Sequence, residues 1–408
     1  MTQQGTRPLM IFHAPYPLAE RAAASRLRPL RMRQAFAALG YEVVEVTGYA
    51  PARRRAMARA LARLDAYARQ RAADPSLPTP FVYSENATIP SALTEPGHLP
   101  PHPFLDISFF RQASRRGARV GAFYRDLYWR FPRFRQDIHP VVDAALRATY
   151  LAELRQWQRA GLRVYLPSAA MAPHMPVIDR QAMSALPPGA DLVSRPAPDR
   201  AALVAAPGAG MDLLFIGVLG DNYHLEPVCQ AVAQTEGTHL TLCTRPESWQ
   251  TVAEHYRPLL PQGRHRVVHA YGPQLEPLYS QAAVGVLLVE PSEYWDFAVP
   301  YKLYEYLAHE LPVVATAGTQ AGRIVQELGI GWTLPAQGGA LAALLRHLRA
   351  NPGELAQVQA RMRLVLPGQT WQARARQVAL DLSGWAPEPG TSVDRADLQG
   401  RDEGEEPG

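Results

Sequence analysis

Twice along its 408 residues the chain runs through the same alternation of short apolar segments and longer amphipathic ones, and no other feature restricts its fold as strongly. "RPLMIFHAPYPL" reads as a strand, "RLRPLRMRQAFAALG" as a helix stopped by glycine, and "YEVVEVTGY" as a second strand. Strands recur at "TPFVYSEN" and "ARVGAFYRDLYW", followed by a helix at "PVVDAALRATYLAELRQWQRAG" and a strand at "LRVYLPS". The series restarts at "MDLLFIGVLG". It continues through helix "HLEPVCQAVAQT", strands "THLTLCTR" and "HRVVHAYG", helix "QLEPLYSQA", strand "VGVLLVE", helix "YKLYEYLAHE" and strand "PVVATAG". Strands joined through helices form parallel sheets covered on both faces, so the alternation predicts an α/β chain with two doubly wound domains.

The length agrees, because a single core rarely exceeds about 250–300 residues. Proline and glycine punctuate residues 185–210, with a short strand expected inside. The cut places an N-terminal Rossmann-like domain at 1–195 and a second one at 196–385, the latter ending in a helical stretch over 339–382. Residues 386–408 are Pro/Gly-rich and acidic, and are expected to be a disordered tail. Cys229 and Cys243 are too few and wrongly spaced for a disulfide framework or a zinc site, so both read as buried apolar residues in a reducing compartment. The N-terminus lacks the pattern of a secretory signal, and no run of about 18 apolar residues occurs. A cytoplasmic protein that does not span a membrane is expected.

Charge divides with the domains. Residues 1–195 carry 27 arginines against 14 acidic side chains, net +13, and the remainder is net −8. The first domain should therefore meet an anionic partner. Seven of its arginines lie in "ARRRAMARALARLDAYARQR" (52–71), on a helical pattern. That pattern fits a solvated surface face, or contact with anionic lipid headgroups or a lipid diphosphate, which would place the protein at the inner face of the membrane. No module or aromatic-interleaved basic motif points to nucleic acid.

The stretch "DFAVPYKLYEYLAHELPVVAT" (296–316) holds the chain's single lysine, Lys302, among 42 basic residues. An arginine-rich composition that keeps one lysine suggests a place for a compact ammonium, which arginine's planar fork does not imitate. An ion pair with Glu305, three residues on, is the structural alternative.

Four segments in order carry a resemblance: "FIGVLG" (215–220), "AYG" (270–272), "PYKLYEYL" (300–307) and "LPVVATAGT" (311–319). Over about 120 residues the second half resembles the donor-binding domain of GT-B glycosyltransferases of the family 4-like group. The resemblance implies two Rossmann-like domains facing a cleft, with a nucleotide-diphosphate sugar held by the second and a lipid-linked or polysaccharide acceptor by the first. It implies Lys302 on a phosphate at the start of a helix and Glu305 on the ribose hydroxyls. Gly217 and Gly220 would admit backbone amides to phosphate, with Arg245 reaching the nucleotide and Tyr271 and Gly272 framing the base. Thr316, Gly318 and Thr319 would follow the pyrophosphate. No Asp-x-Asp occurs, and the group works without a metal or further cofactor. One departure stands out: Phe297 occupies the place of a second, sugar-reading glutamate, leaving Ser292, Glu293 or Asp296 as substitutes.

In the first half, "GAFYRDLYWRFP" (121–132) runs from an apolar strand into Arg125 and Asp126. It faintly resembles a segment of bacterial exopolysaccharide glucuronosyltransferases, which implies Asp126 as the base for the acceptor hydroxyl; a helix cap or a pair with Arg125 is the alternative. His13 and His98 are further catalytic candidates. A nucleotide-sugar epimerase of the same fold, or a catalytically silent accessory protein, are the competing functions.

Overall fold

The computed structural model describes residues 6–18, 24–206, 208, 210–220, 223 and 225–387. The expected acidic tail, 386–408, lies outside the described residues apart from its first two. Contacts divide the chain into two units, one comprising residues up to Pro187 together with those from Trp371, the other Pro188–Thr370.

The first unit runs β1 (Leu9–His13), α1 (Ala24–Ala38), β2 (Glu42–Val46), α2 (Ala50–Ala73), β3 (Phe81–Glu85), α3 (Leu105–Arg115), β4 (Arg119–Phe123), α4 (Pro140–Arg159), β5 (Arg163–Leu166) and β6 (Met183–Ala185). The second runs α5 (Arg200–Ala205), β7 (Met211–Ile216), α6 (Glu226–Ala233), β8 (Thr238–Cys243), α7 (Pro246–Tyr256), β9 (His265–Val268), α8 (Glu276–Gln281) and β10 (Val284–Leu287). It continues with α9 (Tyr301–Ala308), β11 (Val313–Thr316), α10 (Gln320–Leu328), β12 (Gly331–Leu334), α11 (Gly338–Ala350) and α12 (Gly353–Val365). A last helix, α13 (Trp371–Ser383), belongs to the first unit.

Among the described residues the strands form two six-stranded sheets, ordered β2-β1-β3-β4-β5-β6 and β12-β11-β10-β7-β8-β9, in which the neighbouring strands run parallel. The inner strands are apolar without alternation, as sheets covered on both faces require; β1, "LMIFH", is buried throughout. In β7, Leu213 and Phe215 enter the core beneath α6 and α11, while Leu214 enters the core beneath α9 and α10. Cys229 and Cys243 are buried and unpaired.

Three expectations differ from the structure. The second domain was expected to extend to 385, but α13 packs on α1, β3 and β4 of the first sheet. Gly121 makes room for it: a Cβ there would lie 2.9 Å from Leu382 and 2.8 Å from the Tyr165 ring. The strand expected within 185–210 is reduced to the last residue of β6 and an isolated parallel bridge between Ala190 and Thr370, and the short helix α5 follows, whose first N–H groups at Ala201 and Ala202 donate to the Asp199 carboxylate. Between "THLTLCTR" and "HRVVHAYG" the chain inserts α7, entered through Pro246. Among the described residues no helix is long and apolar enough to cross a membrane.

Candidate functional site

Lys302 is the second residue of α9, after Pro300 at the cap position. The helix is fixed against the sheet by Tyr306, whose ring lies over Gly285 of β10, where a Cβ would come within 2.7 Å of it. The Tyr306 hydroxyl donates to Leu214 O (3.2 Å) and accepts from Ile216 N (3.3 Å), tying α9 to the carboxyl end of β7. At the other end of α9, Arg200 donates to His309 O at 2.6 Å and Glu310 O at 3.3 Å, and also to Tyr279 O and Ala282 O at 2.7 Å. That guanidinium satisfies carbonyls that the ends of α8 and α9 leave open, so it holds both helices in place.

These supports aim the Lys302 side chain at the turn after β7. Its Nζ stands 4.0 Å from the Phe215 ring centroid and 3.7 Å from that of Tyr223. It approaches Gly217 so closely that a Cβ there would lie 2.3 Å from Nζ. Gly217 is needed for this absence of a side chain. Nζ is buried and has no hydrogen-bond partner among the described residues. The ion pair with Glu305 does not form: no carboxylate of the described residues lies within 4 Å of Nζ. Burial pushes the Lys302 pKa down to about 7, only partly opposed by Glu305. Two aromatic faces attract the ammonium but donate and accept nothing in its place. A buried cationic donor with no acceptor costs free energy that a phosphate oxygen would recover.

Glu305 lies one turn further on, half-buried. Burial raises its pKa to about 7, against the pull of Lys302 and with repulsion from Asp191. Two other buried hydroxyls near strand ends lack partners: Thr244 Oγ1, directly after β8, and Ser292 Oγ, five residues after β10. Phe297 is buried against Tyr294, at 5.4 Å between ring centroids. Glu293 and Asp296 are exposed. The Asp296 carbonyl accepts from Arg323, and Trp295 O accepts from Gln320 N (2.8 Å), which moors this loop to α10.

The remaining second-unit candidates divide. Gly220 accepts from Tyr223 N (3.0 Å) and shapes the turn beside Lys302. Arg245 is exposed and has no side-chain partner among the described residues, and Tyr271 is exposed beside Gly272, which has φ +56°. Thr316 and Thr319 have protein-bound hydroxyls. Thr316 Oγ1 donates to Val289 O and accepts from Val289 N, both at 2.9 Å. Thr319 Oγ1 donates to Thr316 O and accepts from Gly322 N as the cap of α10. In that loop only backbone, with Gly318 at φ +81°, is available to a ligand.

In the first unit the candidates fall in different places. His13 is buried at the end of β1, with Nδ1 2.8 Å from Ser84 Oγ and Nε2 3.0 Å from Asp106 Oδ1. Burial lowers its pKa. Against the upward push of burial, His13 and then Arg53, which donates to both oxygens of Asp106 at 2.8 and 3.2 Å, hold that carboxyl below its ordinary pKa. Both imidazole nitrogens are occupied within a sealed network, so His13 is structural and not a base facing a substrate. His98 is exposed, with Nδ1 2.9 Å from Leu93 O. Asp126 follows β4, half-buried, and its Oδ1 accepts from Leu127 N at 2.6 Å. Sequence reasoning missed the network at the end of β3, where the buried Glu85 accepts from Arg28 (2.9 Å) and Tyr83 (2.6 Å) and stands 4.0 Å from Arg125. Its members are too scattered along the chain to form a motif. Among the described residues no cluster of three or more His, Cys, Asp or Glu side chains could hold a metal ion.

The chain thus comprises two parallel α/β units, the second of which places the buried Lys302 ammonium beside the carboxyl end of β7. Solved structures share this architecture at low identity. Sucrose-phosphate synthase from Thermosynechococcus elongatus is 17% identical, with 92% of this chain and 98% of that chain covered, at a TM-score of 0.58. HepE from Anabaena, solved in complex with UDP-glucose, is 11% identical over 91% and 98%, at 0.56. WaaG, a glycosyltransferase involved in lipopolysaccharide biosynthesis, is 15% identical over 92% and 100%, at 0.51. At such identities the likeness is one of fold. No protein-family model matches the chain, and no curated protein matches its sequence.

Proposed function

We propose that the chain is a glycosyltransferase that moves a sugar from a nucleotide-diphosphate sugar to a hydroxyl of a lipid-linked or polysaccharide acceptor. The observation that carries this reading is the Lys302 ammonium, buried at the end of β7 without an acceptor. In the proposed mechanism the diphosphate lies against Gly217 and the first turn of α9, whose free N–H groups and positive dipole end favour an anion. As the bond from the sugar's anomeric carbon to the diphosphate breaks, negative charge grows on the leaving oxygen, and Lys302 stabilises it. The acceptor hydroxyl adds to the anomeric carbon and gives its proton to Asp126. Glu305 accepts from the ribose hydroxyls. With Phe297 in the core, Ser292 Oγ is the polar group assigned to the sugar.

UDP is the first nucleotide to test, because the HepE structure holds UDP-glucose. A thermal-shift screen of UDP, GDP, ADP and dTDP sugars identifies the donor, since a ligand at a hundred times its Kd stabilises by about 2.7 kcal/mol. One nucleotide series should raise Tm, and EDTA should leave both that shift and transfer unchanged. No shift with any of the four would remove the donor-site assignment.

A further inference from the structure

We infer that the face formed by α2, α3 and the loop before α3 docks on an anionic lipid bilayer. The inference rests on the part of the proposed function that places the acceptor at a lipid surface, and it assigns the contact to particular residues.

The face combines two chemistries. Arg55 and Arg59 stand one turn apart on α2, exposed and without side-chain partners among the described residues, and Arg54 is exposed beside them. Arg111 is exposed on α3, which packs against α2. Between residues 46 and 64, and again between 96 and 105, the sequence has no acidic residue to offset them. Charge alone would suit any polyanion. The neighbouring loop adds two large apolar side chains turned to solvent, Leu99 at 69% and Phe104 at 62% exposure, within "HLPPHPF".

This loop is held against the arginines by buried ion pairs. Arg53 reaches Glu95 at 3.3 Å before the loop and Asp106 at 2.8 Å after it, while the Glu95 carboxylate accepts from Ala50 N at the start of α2. Arg54 touches the loop itself, 3.0 Å from His102 Nδ1. Three prolines between Leu99 and Phe104 restrict the chain further. A fixed pair of apolar side chains beside unpaired arginines matches a surface that offers phosphates above hydrocarbon, where cations meet headgroups and Leu and Phe enter the acyl boundary. A soluble polyanion or an acidic protein would leave Leu99 and Phe104 unexplained.

The test is co-sedimentation of the full chain with vesicles of phosphatidylcholine alone or with about a third phosphatidylglycerol, a composition that supplies the negative surface potential. Binding should require the anionic lipid and weaken as salt rises. R55E/R59E should weaken it at least about tenfold, since each basic side chain contributes about 1 kcal/mol near such a surface, and L99D/F104D should do the same, since burying a Leu or Phe side chain contributes about 1.5–3 kcal/mol. L364D, at a 75% exposed position in the second unit, should bind like the wild type. Absence of binding by the wild type would overturn the inference. So would salt-sensitive binding that L99D/F104D leaves intact, which would assign the face to a polyanion. Neither readout uses a donor, so failure here leaves the Lys302 assignment standing, and failure of that assignment leaves this one.

Discussion

At the scale of single residues, Lys302 is held in a state that suits a ligand better than it suits the free protein. Burial takes its pKa from 10.5 to about 7, so between those values the unfolded chain binds more protons than the folded one. Stability of the donor-free protein therefore rises as pH climbs through that window and is lowest, for this group, at and below about pH 7. Lys302→Met removes the buried charge and with it the cost of taking that charge out of water, so it should stabilise the donor-free protein. We expect the variant's Tm to exceed that of the wild type at pH 6 and the gap to narrow towards pH 10. A gap that is constant with pH would contradict the burial argument. Part of this site was legible beforehand, since "PYKLYE" places the lysine and glutamate on one helix. The aromatic cage was not, because Phe215 and Tyr223 lie about eighty residues upstream and meet Nζ only through the sheet.

At the scale of elements, α9 is positioned by close approach and not by helix propensity. Tyr306 lies flat on Gly285, so Gly285→Ala would drive a Cβ to 2.7 Å from its ring and push α9 off β10. Overpacking of this kind costs about 1–3 kcal/mol. A lower Tm with weakened nucleotide binding is expected, and a variant with unchanged Tm and affinity would show that α9 is not held there. Strands β1–β5 and β7–β11 were readable, the inner ones because parallel strands buried on both faces appear as continuous apolar runs, whereas the short, half-buried edge strands β6 and β12 carry no such run and were missed. Helix α13 was not assignable in the same way. Its apolar stripe says only that it covers a sheet, and nothing in "TWQARARQVALDL" says that the sheet is the first one. The His13 network was equally hidden, because its partners Ser84 and Asp106 are 71 and 93 residues away.

At the scale of the whole molecule, the two units carry different chemistry. The second presents an unpartnered cation at the ends of β7 and α9, while the first carries most of the chain's arginines and the half-buried Asp126. Asp126→Asn tests the catalytic part: transfer should fall by about 100-fold or more if this carboxylate is the base, with donor affinity unchanged. Activity within about tenfold of wild type would exclude that role. The central claim, that Lys302 is the ligand for the donor's diphosphate, is tested most directly by calorimetric titration of the nucleotide identified in the screen into the wild type and Lys302→Met. A charge-assisted hydrogen bond of about 1.5–3 kcal/mol predicts affinity lower by about 10- to 150-fold in the variant, with its fold intact. Equal affinity in the two proteins would contradict the account.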